Sequence, residues 1–301
     1  MSLSVVSGRF LAPRTRAFLL LLVSVVLWGM APVGNRYFIG NSHLAMPGAT
    51  YMALRYAIAS ICFLPGVAAA LRRWSWQDWL RGGFCGLAGV AGYNLLAGVA
   101  ARTVSAGMTG LLNASESLII LLLSCLVARR APNGRSILAA LLGVGGIALL
   151  ATSAGPAEGD LRGILLLLLG ACGWAVYCVA IPPLIRKHGA LQSSAVTMFL
   201  GTLPLLVAGG PGLRQMMAAM PQQEWQLMLV MSIGISVVAL IAWNKGVAVL
   251  GAQSASWFLY LLPVFSALGG FWLLDEPLTL AELAGGAMIL GSVFIAQRGG
   301  R

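Results

Sequence analysis

The stretch AFLLLLVSVVLWGMAPV (residues 17–33) has a counterpart 146 positions later, GILLLLLGACGWAVYCV (residues 163–179). In this alignment the leucine runs overlap and Trp28 falls on Trp174. Neither run alternates in polarity, as a lipid-facing barrel strand would over about ten residues. A helix crosses a hydrocarbon core with about 20 residues and satisfies its own backbone polar groups there. Working outward, apolar stretches fall near 17–38, 49–71, 82–101, 104–127, 136–154, 162–181, 191–209, 226–247, 252–273 and 279–297. The chain is therefore expected to be all-α, a polytopic membrane protein with ten transmembrane helices. Composition agrees, with 59% of the 301 residues hydrophobic, 9% charged and a mean hydropathy of +0.90. Soluble domains average about 25% charged residues, so a soluble or disordered chain is excluded. Ten spans use about 200 residues, which leaves termini and short loops but no added soluble catalytic domain.

The net charge of +11, from 19 Lys+Arg and 8 Asp+Glu, would suggest nucleic acid on a soluble protein. Sorting by loop gives another reading. With the N-terminus in the cytoplasm, that side receives Arg9, Arg14, Arg16, Arg72, Arg73, Arg81, Arg129, Arg130, Arg135, Arg186, Lys187, Arg298 and Arg301, and only Asp78 among the acids. The outer side receives Arg36, Arg102, Arg162 and Arg214 with Glu158, Asp160, Glu224, Asp275, Glu276 and Glu282. This bias is an orientation signal, N-in and C-in with an even number of spans, and no nucleic-acid partner is expected. Arg14 and Arg16 before an apolar run resemble a signal peptide. The run exceeds the usual 7–15 residues and no A-x-A site follows, so a retained first helix is expected. The five cysteines (Cys62, Cys85, Cys125, Cys172, Cys178) lie in spans without zinc-type spacing and are expected to pack as small residues. No metal or cofactor is expected.

The repeat extends beyond its first helix. A shift of 146 also lays Ser105-Ala106 on Gly251-Ala252, and a shift of 145 lays Gly146 on Gly291. The preserved order divides the chain into halves, 1–155 and 156–301, of five helices each. Five is odd, so a first half that starts inside forces the second to start outside. Inverted repeats of this kind exchange conformations and open a site near the midplane alternately to each side. Glycine clusters at Gly82-Gly83, Gly86, Gly89, Gly143 and Gly145-Gly146 allow close helix contact. Pro32 frees the carbonyl of Trp28 and tends to kink the first helix, and Pro204 and Pro263 act similarly in the seventh and ninth. Pro32 and Pro263 are hinge candidates, with static kinking the equally simple alternative.

Each half opens with Trp in its first helix, as Leu27-Trp28-Gly29 and Gly173-Trp174-Ala175. The ninth span carries Gly251-Ala252, then Leu262-Pro263-Val264-Phe265, then Leu274-Asp275-Glu276-Pro277-Leu278-Thr279. This pattern resembles the EamA-like branch of the drug/metabolite transporter superfamily, with Asp275 where glycine is common. The resemblance covers nearly the whole chain. It implies a secondary transporter of small metabolites with no enzymatic activity. The first half departs from it: Ser117 stands opposite Pro263, and Arg129-Arg130 opposite Asp275-Glu276, so the acid at that helix end is missing. Gly173-Trp174-Ala175-Val176-Tyr177-Cys178 and Ala242-Trp243-Asn244 look most like aromatic amino-acid exporters of enteric bacteria, which tilts the substrate expectation toward hydrophobic and aromatic amino acids.

Glu116 is the one carboxylate expected near the middle of a span. A charge there is costly and marks a functional candidate, able to bind a coupling proton or an amino group. Thr109, Asn113 and Glu116 are spaced i, i+4, i+7 and share a helix face. The smaller multidrug members of the superfamily resemble this in using a membrane glutamate, but theirs lies in the first helix, where this chain has no acid. A structural glutamate, hydrogen-bonded or paired with Arg55 or Lys245, is the alternative. Lys245 could meet a substrate carboxylate or snorkel outward, and Arg55 is expected to snorkel. Trp28, Tyr93, Trp174, Tyr177, Trp243, Trp257 and Tyr260 are candidates to line a cavity for a flat apolar solute, or simply to pack. Asn94, Asn113 and Asn244 join them, since a buried amide needs a partner. His43 and His188 lie in loops. Ser115 and Ser117 flank Glu116 without a nearby base, so a nucleophile is not expected, and no phosphate-binding loop is present.

The leading expectation is therefore an exporter of amino acids, with a small solute, the lipid bilayer and in one variant protons as partners; a monomer would contain both halves of the pathway. Drug or other metabolite efflux with proton coupling is the alternative. An exchanger of phosphorylated sugars would call for several deep cations, and an enzyme acting on lipid for a nucleophile–base or metal cluster. A receptor would have no use for the inverted repeat. Coupling by Glu116 and simple facilitation both fit the sequence.

Overall fold

The structure, a computed structural model, describes residues 12–41, 45–129, 131, 134–153, 160–275 and 279–297. The boundary at 155/156, His43, Arg130, Glu158, Glu276 to Leu278 and the terminal arginines lie outside these residues, as does the side chain of Glu282. The helices are α1 (Pro13–Gly40), α2 (Gly48–Leu71), α3 (Trp76–Ala100), α4 (Ala106–Val127), α5 (Gly134–Ser153), α6 (Leu161–Ala180), α7 (Pro182–Ala219), α8 (Gln222–Leu250), α9 (Ala252–Leu274) and α10 (Leu280–Gln297). Eight are long and apolar enough to cross a membrane; α5 and α10 carry shorter apolar segments, Ile137–Gly146 and Leu283–Ser292. The protein is an all-helical, multi-pass membrane protein, as its composition requires.

Local chemistry explains where the helices begin and break. Ser75 and Asp78 form a reciprocal capping box, so α3 starts at Trp76 rather than at the 82 expected from hydropathy. Ser105 caps α4 through the amide of Met108 (3.1 Å), and Asp160 caps α6 through that of Gly163 (2.8 Å). The chain turns within α7 at Gly189, whose φ of 82° suits only glycine. α1 breaks at Met30, and Pro32 sits in the first turn of the helix that resumes at Ala31, where its missing N–H costs nothing.

Four hydrogen bonds establish how the helices cross. Arg36 Nη1 donates to the carbonyls of Ala101 (3.0 Å) and Arg102 (2.7 Å). Thr103 Oγ1 donates to Asp160 Oδ1 (2.8 Å). The end of α1, the α3–α4 link and the start of α6 thus share one end of the bundle. Between Thr103 and Asp160 the chain leaves this end along α4 and returns along α5. Lys187 Nζ meets Asp78 Oδ2 at 2.6 Å, which places the α2–α3 link and the turn at Gly189 together at the opposite end. Since α1 finishes where α6 starts, the first helices of the two halves run in opposite directions.

Packing has matching symmetry. α2 lies on α7, α4 on α9 and α5 on α10, each against its counterpart; α1 lies on α8 and α3 on α6, a reciprocal exchange. Irregularities are paired too. α3 and α8 both widen into π-helix, at Gly86–Gly92 and Met231–Val238. The chain after α4 and after α9 turns through a left-handed residue, Arg129 (φ 51°) and Asp275 (φ 55°). That conformation favours glycine, and Asp tolerates it better than most other residues do.

The outward faces are apolar, with Leu19, Leu126, Leu165, Val207 and Trp272 exposed. Polar groups turn inward and tie the halves together. Ser24 Oγ donates to Ala239 O (3.0 Å) and Ser266 Oγ to Gly29 O (2.7 Å); Ser117 Oγ donates to Ser256 O (2.7 Å), and Ser60 pairs with Thr202 (2.8 Å). Each contributes roughly 0.6 kcal/mol in a membrane protein. Gly86 and Gly201 face each other where α3 crosses α7. A Cβ on Gly86 would overlap the Thr197 carbonyl, and one on Gly201 the Gly86 carbonyl. This close approach holds one wall of the central cavity.

Candidate functional site

The cavity lies between the halves, lined by α1 to α4 from the first and α6 to α9 from the second. Its volume is about 80 Å³, at least five times the roughly 10–15 Å³ that one water needs. The space extends from the middle of the bundle toward the Arg36 end, because its lining includes Asn35, Arg55, Ala97 and Thr109. Toward the Asp78 end the halves are packed shut. There the Asp78 carboxylate meets Lys187 (2.6 Å) and His188 (3.0 Å) of the other half, and the His188 ring stacks on Trp74 at 4.5 Å.

Trp28 and Trp174 make the floor. The two residues that align at a shift of 146 touch each other, with centroids 5.1 Å apart in an edge-to-face arrangement. Trp28 Nε1 donates to the carbonyl of Ile235 at 3.0 Å, inside the π-helical stretch of α8. Such stretches loosen the regular ladder and free carbonyls for side chains. Below them Trp243 is fully buried, 5.3 Å from Trp28 and 6.1 Å from Trp174. Tyr177 stacks flat on Trp174 (4.9 Å, 10°), and its hydroxyl accepts from Asn244 Nδ2 (2.9 Å), which also reaches Ser194 Oγ (2.8 Å). Trp243, Tyr177 and Asn244 are thus not on the cavity surface. They brace the ring that is.

One wall carries polar groups. Thr109, Asn113 and Glu116 all face the cavity, as their spacing on α4 requires, even though the helix is interrupted at Ala114. Glu116 is 3% exposed, with the Tyr93 phenol beside it. Among the described residues it is the one carboxylate in the lining. The Asn113 amide oxygen is buried without a hydrogen-bond partner. Asn94 also lines the cavity, its Nδ2 donating to Val90 O (2.8 Å) within the π-helical stretch of α3. Pro32 is in the lining as well, whereas Pro263 is buried at the start of a helical segment of α9.

Several side chains fall elsewhere than the sequence suggested. Arg55 was expected to snorkel. It is instead 3% exposed and faces the cavity, with Nη1 donating to Asn35 Oδ1 (3.0 Å) and Nε to Ser236 Oγ (2.9 Å). Seven residues into α2 it lies about 10 Å from the helix start at 1.5 Å per residue, too deep to reach the surface. A charge in a span turns inward by default, and that signal would have found it. Asn35 and Ser236 carried no comparable mark. Lys245 faces outward, exposed, so snorkelling applies to it instead. Trp257 and Tyr260 share a face and stack at 6.2 Å, but pack against α4 and α6 away from the cavity. Their separation from it follows from a 3₁₀ stretch, Trp257–Leu261, which rotates this part of α9. His188 is not solvated: its side chain is 7% exposed.

Comparison with known proteins agrees with this architecture. The family profile described as EamA-like transporter family matches twice, at residues 15–152 and 161–297. An uncharacterized transporter of Archaeoglobus fulgidus is 24% identical over 94% of this chain and 99% of its own length. A probable terminal-alkyne amino-acid exporter of Streptantibioticus cattleyicolor is 26% identical over 94% of each chain. A solved crystal structure superposes with a TM-score of 0.65 at 22% identity, covering 96% of this chain and 99% of the other, which shows the fold alone. Two inverted bundles, a shared central cavity and the double profile match lead to one conclusion: the chain belongs to the EamA-like transporter family of the drug/metabolite transporter superfamily.

Proposed function

We propose that this transporter exports amino acids, with hydrophobic and aromatic side chains favoured, by alternating access between halves 1–155 and 156–301. The observation that carries the reading is the cavity itself. It sits on the axis between the halves, with a tryptophan floor for an apolar side chain and a polar wall containing Glu116 for an ammonium group. The relative from Streptantibioticus cattleyicolor, named a probable amino-acid exporter, supports the same class of solute. Charge sorting supports cytoplasmic termini in a bacterial-type inner membrane, so that the cavity faces outward and the Asp78–Lys187 contact closes the cytoplasmic side. The chain holds both halves of the pathway and works as a monomer.

A second reading, proton-coupled efflux of drugs or other metabolites, is favoured by one feature: a single buried carboxylate that a proton and a cationic solute would compete for. Counterflow of labelled leucine, phenylalanine and tryptophan into proteoliposomes separates the two. Uptake driven by an internal pool of the same amino acid is expected. Uptake of none of them, with lipophilic cations exchanged instead, would replace amino-acid export by the second reading.

A further inference from the structure

The lining of the cavity contains a second buried charge. Arg55 sits opposite the acid-bearing helix, and its positive charge is answered by neutral groups: Asn35 Oδ1, Ser236 Oγ, the neighbouring Tyr51 phenol and the face of Tyr56, whose centroid lies 5.1 Å from the guanidinium carbon. No carboxylate of the described residues lies within 4.0 Å of it. A buried cation without a counter-ion is strongly unfavourable. A guanidinium has five N–H donors in a rigid fork, more than its bonds to Asn35 and Ser236 use. The fork is also held still. Asn35 comes from α1, Ser236 from the π-helical stretch of α8, and Arg55 itself from α2, so both halves position it before any solute enters.

We propose that Arg55 anchors the carboxylate of the transported solute, which makes the cavity selective for carboxylate-bearing solutes. This rests on the transport reading above and names the group that Glu116 alone does not recognise. A planar fork matches a planar carboxylate through two parallel hydrogen bonds. Phosphate esters fit less well, because they bring about two negative charges to a cavity with a single lining cation. The arrangement places the acidic end of the solute near the Arg36 end of the cavity, and leaves the tryptophan floor for the apolar side chain. Lys245, the other candidate for this task, faces away.

The test compares acids with their amides on the purified full-length protein, by quenching of intrinsic tryptophan fluorescence. L-Phenylalanine and phenylacetate are expected to bind about 10- to 100-fold more tightly than L-phenylalaninamide and phenylacetamide, the range for a charge-assisted hydrogen bond. Arg55→Gln is expected to abolish the preference, and Arg55→Lys, which keeps the charge but not the fork, to retain only part of it. The wild-type comparison needs no variant and so does not depend on how the variants fold. Equal binding of acid and amide by the wild type, or binding of neither, would overturn the anchor. If phenylalanine still shows counterflow with equal binding of acid and amide, the anchor falls and amino-acid export stands. If no amino acid shows counterflow while phenylacetate outbinds phenylacetamide, the export reading falls and the anchor stands.

Discussion

Replacing Glu116 by Gln separates binding from energy coupling. The substitution keeps the shape and a hydrogen-bonding group beside Tyr93 but removes the one carboxylate that the described residues place in the cavity. One carboxylate carries one proton per cycle. A gradient of one pH unit then supplies about 1.36 kcal/mol per solute moved, which corresponds to a tenfold concentration ratio. Membrane potential must be collapsed with potassium and valinomycin, since it would add about 2.3 kcal/mol per charge per 100 mV. In proteoliposomes with a pH step of about one unit, coupling through Glu116 predicts that the wild type accumulates phenylalanine about tenfold. Glu116→Gln is expected to bring the ratio to unity while counterflow without a gradient continues. A variant that still accumulates about tenfold would refute coupling through Glu116. A wild type that never departs from unity would refute coupling altogether and leave facilitated exchange.

Four further outcomes follow from the geometry. Asn244→Ala removes one hydrogen bond to Tyr177, which stacks on Trp174, and one to Ser194; a stability loss of about 1–3 kcal/mol should appear as a lower thermal midpoint in detergent, with weaker binding of aromatic solutes, and an unchanged midpoint would show that the brace is idle. Asp78→Asn weakens the contact with Lys187, whose side chain is 56% exposed. Such a pair is worth about 0.2–1 kcal/mol after solvent screening, so access of a thiol reagent to a cysteine placed near the cavity from the Asp78 side should rise up to about fivefold, and unchanged labelling would argue against a closing role. Arg129→Gly should raise stability by about 0.5–1 kcal/mol, because it relieves a left-handed arginine; Asp275→Gly should do less, since Asp tolerates this conformation, and the reverse ranking in melting measurements would contradict the argument. The Asp160 carboxyl is held below its usual value, first by the Gly163 amide and then by the Thr103 hydroxyl. A lowered folded-state value means that its contribution is complete above the unfolded value near 4 and fades only as pH falls through the folded one, so thermal midpoints of wild type and Asp160→Asn should differ by a constant amount from pH 5 to 8.

The repeat was the most legible feature. Trp28 and Trp174, paired by a shift in the alignment, are in contact at the centre of the bundle. Arg129 and Asp275, opposite each other in the repeat, share a left-handed backbone conformation at matching helix ends. Helix starts were less legible in α3, where the hydropathic signal begins later than the capping box that initiates the helix. The shared face of Thr109, Asn113 and Glu116 could be read because it needs only the helical period.

What the sequence by itself determined was what a bilayer demands of a chain: a series of apolar spans, their helical backbone and the candidate carboxylate, since each follows from the cost of exposing polar groups to hydrocarbon. Only the tertiary structure decided how each helix is rotated about its axis. Arg55 turned in, Lys245 turned out, and Trp257 and Tyr260 turned to a second cluster. In water, an amphipathic pattern settles that rotation because one face must leave the solvent. In lipid, the surroundings and the protein interior are nearly equally apolar, so the pattern is weak. Rotation is then set by packing and by a few hydrogen bonds between helices, such as those of Asn35 and Ser236 that hold Arg55 in the cavity.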